Sequence, residues 1–454
     1  MDLRTLLTPR SIAVFGLSRS NPFHPGNVIY MKNRLRYEAR TYGVNPNGGM
    51  LHGERIYKSV DEIPEKVDVA VVAVRAELVP DTLRQCVAAG VSGAIVVSGG
   101  FAEAGQSGLR DEVVKIARDH WFPVIGPNCL GAYSPPTFNT FFLPAERLLR
   151  PKPGPLALVS QSGGILIELI LDFVQENVGI SRAVSIGNKD VVDEVDLLDF
   201  CLSDPKTEVV GFYMEGFNAG RGREFARRVA HSSKPVVVLK GGKTPAGSRA
   251  AQSHTASLSG DYAAFSQIMR QCGAVEARNT REFVSTCEGL VTQAATRRKN
   301  VAVVSVSGGH GIMASDACFD AGLDLVAVPP EDQALLRSRL SQSVRDIVSA
   351  ANPIDLTGSA NDSDVYNATQ FCLERDYVDA VVLLLLPYVP AITPDVGAHV
   401  SLLRREFKKP VFVYIPAMDK YKIYIEGFEI NGFPVSHSVD AAILQARALL
   451  GRAK

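Results

Sequence analysis

Two segments of the chain repeat each other 145 residues apart, Leu156-Ala-Leu-Val-Ser-Gln-Ser-Gly-Gly164 and Val301-Ala-Val-Val-Ser-Val-Ser-Gly-Gly309. A second pair, Lys234-Pro-Val-Val-Val-Leu239 and Lys409-Pro-Val-Phe-Val-Tyr414, repeats at a spacing of 175. Self-similarity over that length marks a duplicated domain. Each copy runs from a β-branched strand through a Ser/Gly turn into a stretch with helical spacing, and that alternation means a parallel sheet. The economical reading is a flavodoxin-like α/β domain present twice.

Upstream, Ser11–Phe15, Thr41–Val44, Val67–Val74, Gly93–Val97 and Pro123–Ile125 read as five further strands of one doubly wound domain. The expected organisation is a Rossmann-like domain over 1–132, a Pro-rich linker over 133–153, and flavodoxin-like domains over 154–297 and 298–454. The linker rests on six prolines between Ser134 and Pro155. A hydrophobic content of 46% over 454 residues is ample for three cores.

Lys plus Arg number 48 and so do Asp plus Glu, with no basic run interleaved with aromatics, which argues against nucleic acid and against a membrane surface. The longest apolar run, Ala380–Leu386, falls far short of the roughly 18–20 residues of a spanning helix. No signal peptide is legible after Met1, and seven Cys without CxxC read as reduced thiols, so a cytoplasmic location is expected. No metal-ligand spacing connects the histidines.

The two copies differ in length after their fourth strand. From Lys240 to Gly273 the first spends 33 residues, whereas from Ile415 to Gly432 the second spends 17. The extra residues lie in Lys240–Gly260, Gly- and Ser-rich and without periodicity, and are expected to form a long mobile loop at the carboxyl end of a parallel strand, where such sheets bind ligands. His254 stands in it. A lone His in such a loop is often merely solvated, but imidazole is also nucleophilic at neutral pH and forms a labile phosphoramidate. Such a nucleophile needs an acceptor on its second nitrogen. Glu215 ends the neighbouring apolar strand, and the equivalent stretch of the second copy, Val381–Pro390, has no acid. Glu215 is read as the partner of His254, with an ordinary exposed strand-end carboxylate as the alternative.

Several turns suit anions. Ser160-Gln-Ser162-Gly163-Gly164 precedes an apolar-faced helix whose N-terminal amides make an anion site, although the copy at Ser305–Gly309 leaves a shared structural turn equally open. Gly16-Leu-Ser18-Arg19 follows the first strand and suits a nucleotide-like ligand; the missing fingerprint glycines and Asn45-Pro46 in place of a ribose-binding acid disfavour NAD. Ser98-Gly-Gly100-Phe101 and Gly126-Pro-Asn128-Cys129-Leu-Gly131 end two further strands and should line the same cleft. Catalysis by Cys129 is disfavoured because no His follows it closely. His310 caps a helix in the second copy, and a structural turn is the simpler account of it.

Gly126-Pro-Asn-Cys-Leu-Gly131, Val159-Ser-Gln-Ser-Gly-Gly164, Ser185-Ile-Gly-Asn-Lys-Asp190 with Asp196-Leu-Leu198, and Ser253-His-Thr-Ala-Ser-Leu-Ser-Gly260 together resemble the nucleoside-diphosphate-forming (ADP-forming) acyl-CoA synthetases, relatives of the succinyl-CoA synthetase α subunit. The resemblance covers nearly the whole chain and implies a CoA-binding domain followed by two ligase domains. It implies that His254 is phosphorylated and oriented by Glu215. Ser160, Ser162, Gly163 and Gly164 would cradle phosphate, while Gly16, Ser18, Arg19, Asn45, Val74, Ser98, Gly100, Asn128 and Cys129 would line the CoA site. An ATP-grasp β subunit carrying ATP/ADP and Mg²⁺ would phosphorylate the His, in an α2β2 assembly. An acid would then accept the phosphoryl group, and coenzyme A would displace phosphate from the acyl phosphate.

Ala256, Arg75 and His310 depart from the family's usual Gly, Pro and Pro. A positive side chain is expected beside the substrate carboxylate, with Arg249 and Lys189 as candidates. The alternative from another class is a non-catalytic CoA-binding regulatory or scaffold protein.

Overall fold

A computed structural model of the protein describes residues 2–147, 149–255, 261–293 and 295–450, with 252–255 described as backbone alone. The chain divides into two units, Met1–Arg278 and Asn279–Lys454. The first holds two sheets and the second holds one.

Seven strands build the first sheet: β1 (Ser11–Phe15), β2 (Arg40–Val44), β3 (Gly49–Leu51), β4 (Glu54–Tyr57), β5 (Val69–Val72), β6 (Gly93–Val96) and β7 (Val124–Ile125). They lie in the order β3-β4-β2-β1-β5-β6-β7, all parallel except β3, which forms a hairpin with β4. Without that hairpin strand the order is the 3-2-1-4-5-6 of a Rossmann sheet. Residues of β1, β5 and β6 are buried throughout, as strands covered on both faces must be.

The second sheet contains β8 (Gly131–Ser134), β9 (Phe138–Asn139), β10 (Pro153–Ser160), β11 (Ile180–Ser185), β12 (Val209–Met214), β13 (Val236–Lys240) and β14 (Val275–Ala277), in the order β14-β13-β12-β10-β11-β8-β9. Its parallel part, β10 to β14, has the flavodoxin order 2-1-3-4-5. The Pro-rich stretch anticipated as a linker is partly built into this sheet. Its start pairs antiparallel with β11, and Thr140 Oγ1 accepts from the Ala132 amide at 2.8 Å. One apolar core runs from Ile12, Val14 and Ile95 through Ala132 and Phe138 to Val159 and Val184, so the first two sheets share their packing.

The third sheet, β15 (Asn300–Ser305), β16 (Asp324–Leu325), β17 (Ile354–Asp355), β18 (Ala380–Leu384), β19 (Val411–Tyr414) and β20 (Val435–Ser436), repeats the flavodoxin order as β16-β15-β18-β19-β20. The helix Thr280–Thr292 packs within this unit against Val439–Leu449, where Gln445 Nε2 donates to Glu288 at 2.6 Å.

The expected irregular loop after β13 is helical over Pro245–Thr255. Proline at the first helical position, the Gly247 amide donating to Thr244 Oγ1 at 3.1 Å, and Ala246, Ala250 and Ala251 account for it. Residues 256–260 lie outside the described residues.

Candidate functional site: a crevice between β10 and β12

Consecutive connections leave β10 in opposite directions, toward β11 and toward β12, which opens a crevice at the carboxyl ends of these strands. Ser160 closes β10. Its hydroxyl donates to the Ser162 carbonyl at 2.6 Å and accepts from the Ser162 amide at 3.2 Å, which folds the turn. Ser162 then caps the helix Gly163–Gln175. The first-turn amides of that helix lack intrahelical backbone acceptors and carry the positive end of its dipole, and Ser162 Oγ accepts from one of them, Ile165 N, at 3.4 Å.

Opposite, Glu215 and Gly216 leave β12. Three buried side chains hold them. Gln161 Oε1 accepts from the amides of both Glu215 and Gly216, the latter at 3.1 Å. Lys240 Nζ donates to the Glu215 carbonyl at 2.7 Å. Lys189 Nζ donates to the Gly216 carbonyl and pairs with Glu194 at 3.0 Å. Glu215 itself is only 5% exposed, and Tyr213 Oη donates to its carboxylate at 3.4 Å. Burial pushes the Tyr213 phenol up to about 12. Burial also brings the Lys240 ammonium down to about 8, against the opposing pull of Glu215.

β13 ends beside this acid. A Cβ on Gly241 would lie 2.5 Å from Tyr213 Oη and 3.4 Å from Glu215 Cγ, so any larger residue there would have to displace the Tyr213 ring. Gly242 follows at φ +71°, and the helix Pro245–Thr255 folds back with Ala251 packed over it. The backbone of His254 stands in the last turn of that helix. Its side chain lies outside the described residues. The same helix approaches Ala102–Ala104 within 8 Å between Cα atoms, next to the loop that ends β6.

The loops ending the first sheet adjoin this crevice. Asn188 bridges them: its Nδ2 donates to Glu103 at 2.6 Å and its Oδ1 accepts from Asn128 at 3.3 Å. Glu103 also accepts from the amides of Gly100 (2.7 Å) and Phe101 (3.1 Å). At the first sheet's own switch point Gly16 takes φ +89°, and a Cβ there would stand 2.3 Å from the Ala73 carbonyl. Gly26, whose Cβ would meet the Gly16 carbonyl at 3.0 Å, provides the close helix–strand approach that the missing fingerprint glycines would have provided. Ser18 is clasped by Asn27 through two 2.7 Å bonds, Asn45 Nδ2 donates to the Leu17 carbonyl at 2.7 Å, and Ser98 Oγ donates to the Val74 carbonyl at 2.5 Å. Arg19, Arg75 and Asn128 are exposed.

Three families of domain match in this order: a CoA binding domain over 10–135, a succinyl-CoA ligase like flavodoxin domain over 153–290 and a ligase-CoA domain over 301–448. The α subunit of ADP-forming acetate–CoA ligase I of Pyrococcus furiosus is 34% identical over 99% of this chain and 97% of its own length. The chain belongs to the ADP-forming acyl-CoA synthetases, as an α-type protein. Against ADP-forming acetate–CoA ligase I of Archaeoglobus fulgidus it is 35% identical over 85% of its length, while spanning 55% of that longer protein. The solved structure of acetyl-coenzyme A synthetase 1 of Ca. Korarchaeum cryptofilum, in complex with phosphate and ADP, superposes with a TM-score of 0.90 at 33% identity, covering 99% of this chain and 96% of that one. An ADP-forming acyl-CoA synthetase is an acid–thiol ligase with CoA as substrate, so the regulatory alternative is set aside.

Within this synthetase the remaining candidates are placed as follows. Lys189 is 2% exposed and committed to Glu194 and Gly216, so it holds the crevice wall instead of meeting a substrate carboxylate. Arg249 is exposed on the helix Pro245–Thr255. Cys129 is buried with Sγ turned to the Val96 carbonyl at 3.3 Å, and burial pushes its thiol up to about 12, which leaves no thiolate at neutral pH. His310 lies in the other unit, bonded to Ser307 Oγ at 3.1 Å and stacked 5.6 Å from Tyr414. Gln161, Lys240, Glu103 and Asn188 were not singled out from the sequence. Among the described residues no cluster of metal ligands occurs, and no helix is long and apolar enough to cross a membrane.

Proposed function

We propose that this chain is the α subunit of a two-chain ligase that joins a small carboxylic acid to CoA through a phosphohistidine at His254. A separate ATP-grasp subunit, in an α2β2 assembly, supplies ATP and Mg²⁺. A nitrogen of the His254 imidazole takes the γ-phosphoryl group and ADP departs. A carboxylate oxygen of the acid then attacks phosphorus, freeing the imidazole and leaving an acyl phosphate. The CoA thiolate attacks the acyl carbon and expels phosphate, so each step trades one good leaving group for another.

In this chain the helix N-terminus at Ser162–Gly164 holds the phosphoryl oxygens, Glu215 orients the imidazole, and the loops at Gly16, Ser18, Arg19, Asn45, Val74, Ser98, Gly100 and Asn128 receive CoA. The observation that carries the reading is the buried Glu215, set against the Gly241–Gly242 turn that leads into the His254 helix, across the crevice from the helix N-terminus that Ser162 caps. Several relatives are named for acetate and one, in Nitrosopumilus maritimus, for 4-hydroxybutyrate, which supports a short acid, while another is named for trans-feruloyl-CoA.

Incubation with γ-labelled ATP and the ATP-grasp partner tests it. The wild-type chain is expected to acquire an acid-labile, alkali-stable label that His254→Ala lacks. A wild-type chain left unlabelled by an active partner overturns the mechanism.

A further inference from the structure

Gln161 is 2% exposed, and its side chain is only half used. Oε1 accepts from two backbone amides, which settles which end of the amide is oxygen. Nε2, with two hydrogens to give, has no hydrogen-bond partner among the described residues. A buried amide nitrogen left unpaired costs about 1–3 kcal/mol, so it is retained only where something else accepts from it. Gln161 stands between Ser160 and Ser162, in the turn that opens the helix N-terminus, and reaches across to the segment bearing Glu215. The residue thus ties the turn before the first-turn amides to the strand end that carries Glu215.

The other copy of the domain shows that the fold does not require this residue. The Ser-x-Ser turn recurs with the same bonds, Ser305 Oγ donating to Ser307 O at 2.7 Å and accepting from Ser307 N at 3.1 Å, yet Val306 replaces the glutamine. Gln161 N donates to Tyr213 O, as Val306 N does to Leu384 O; on that register Gly216 corresponds to Pro387, which has no amide hydrogen to give. The glutamine and one of the two amides it accepts from are absent together.

We propose that Gln161 is a substrate-contacting residue: with Oε1 fixed by Glu215 and Gly216, its Nε2 donates to an oxygen of the phosphoryl group held at the Gly163–Gly164 helix N-terminus. This rests on the phosphohistidine reading above. Bound so, the amide offsets negative charge on the phosphoryl oxygens as the group passes between His254 and the acid.

The test uses the chain assembled with its ATP-grasp partner and compares wild type with Gln161→Glu, which keeps both acceptor bonds and loses the donor, and Gln161→Met, which loses both. Assays run in the direction of acyl-CoA, ADP and inorganic phosphate, with labelling from ATP alongside and thermal melting as a check of folding. The expected result for Gln161→Glu is a folded chain whose melting temperature is lowered by its buried carboxylate, a KM for phosphate raised at least tenfold and an unchanged KM for acyl-CoA. Labelled chain should still form from ATP, but its discharge by acid and CoA should slow at least tenfold. A folded Gln161→Glu with wild-type KM for phosphate and wild-type discharge overturns the proposal, as does a KM change confined to acyl-CoA. Gln161→Met should share the phosphate defect; wild-type kinetics there overturn it equally. Failure of the wild type itself to label sinks the phosphohistidine reading instead.

Discussion

The crevice after β10 and the one after β15 are two answers to the same backbone. Both have the Ser-x-Ser-Gly-Gly turn with matching hydrogen bonds, and both begin a helix there. Around the first stand Gln161, Glu215 and Lys240; the same places in the second hold Val306, Leu386 and Ile415, all buried. The turn and its helix dipole therefore belong to the fold. What distinguishes the first copy is a set of buried polar groups that lock an acid-bearing strand end, where the other copy has hydrocarbon.

The comparison can be broken most severely at its ion pair. Lys189→Met leaves Glu194 buried without a counter-charge and should cost about 3–5 kcal/mol in chemical denaturation, whereas Lys189→Met with Glu194→Leu should recover most of that loss. Equal stability of the single and double variants would show that the pair does not act as a unit. A smaller effect should come from grafting the first crevice onto the second. Val306→Gln adds volume and an amide with no acceptor or donor to meet, costing about 2–4 kcal/mol. Adding Pro387→Gly restores a backbone N–H, and the double variant should be about 1 kcal/mol better than the sum of the singles. Strict additivity would mean that Gln161 and Gly216 are not linked as the two copies suggest.

The mildest test concerns Asp190, in a loop peculiar to the first crevice. Burial raises its carboxyl to about 6 despite Arg110 at 3.0 Å. The folded protein thus binds this proton more tightly than the unfolded chain, so the stabilisation is whole below pH 4 and lost as pH rises through 6. Asp190→Asn should be neutral near pH 4 and raise stability by about 1–2 kcal/mol at pH 8. A gain of the same size at both pH values would rule out titration as its source.

Much of this was legible beforehand. The strands of the parallel sheets announce themselves as unbroken β-branched runs because both faces are covered, and the duplication identified the flavodoxin-like pair. Glu215 was readable from a difference between copies, and the same comparison at Gln161 and Val306 would have exposed the glutamine. Other features were hidden for physical reasons. Lys189 looked like a free cation because its partner Glu194 and the Gly216 carbonyl meet it only after the chain turns at φ +51°. The helix Pro245–Thr255 has too little apolar periodicity to be seen, since capping and alanine propensity sustain it. The prolines of 133–153 read as a linker, yet β8 and β9 show that prolines can flank strands at a sheet edge.

The seam between the first two sheets has a practical consequence. Asn188 N donates to Pro127 O, Asp190 N to Gly126 O and Val192 N to Val124 O, while Gly187 sits so close that a Cβ would lie 2.3 Å from the Pro127 carbonyl. The loop that follows β11 is thus laced to the one that follows β7, although more than sixty residues separate the bonded pairs in sequence. Chimeras that exchange the amino-terminal module between synthetases at the Pro-rich stretch would cut through this lacing and pair mismatched halves. A crossover placed beyond Val192 keeps both strands of the seam from one parent, and that is where recombination of these enzymes should be attempted.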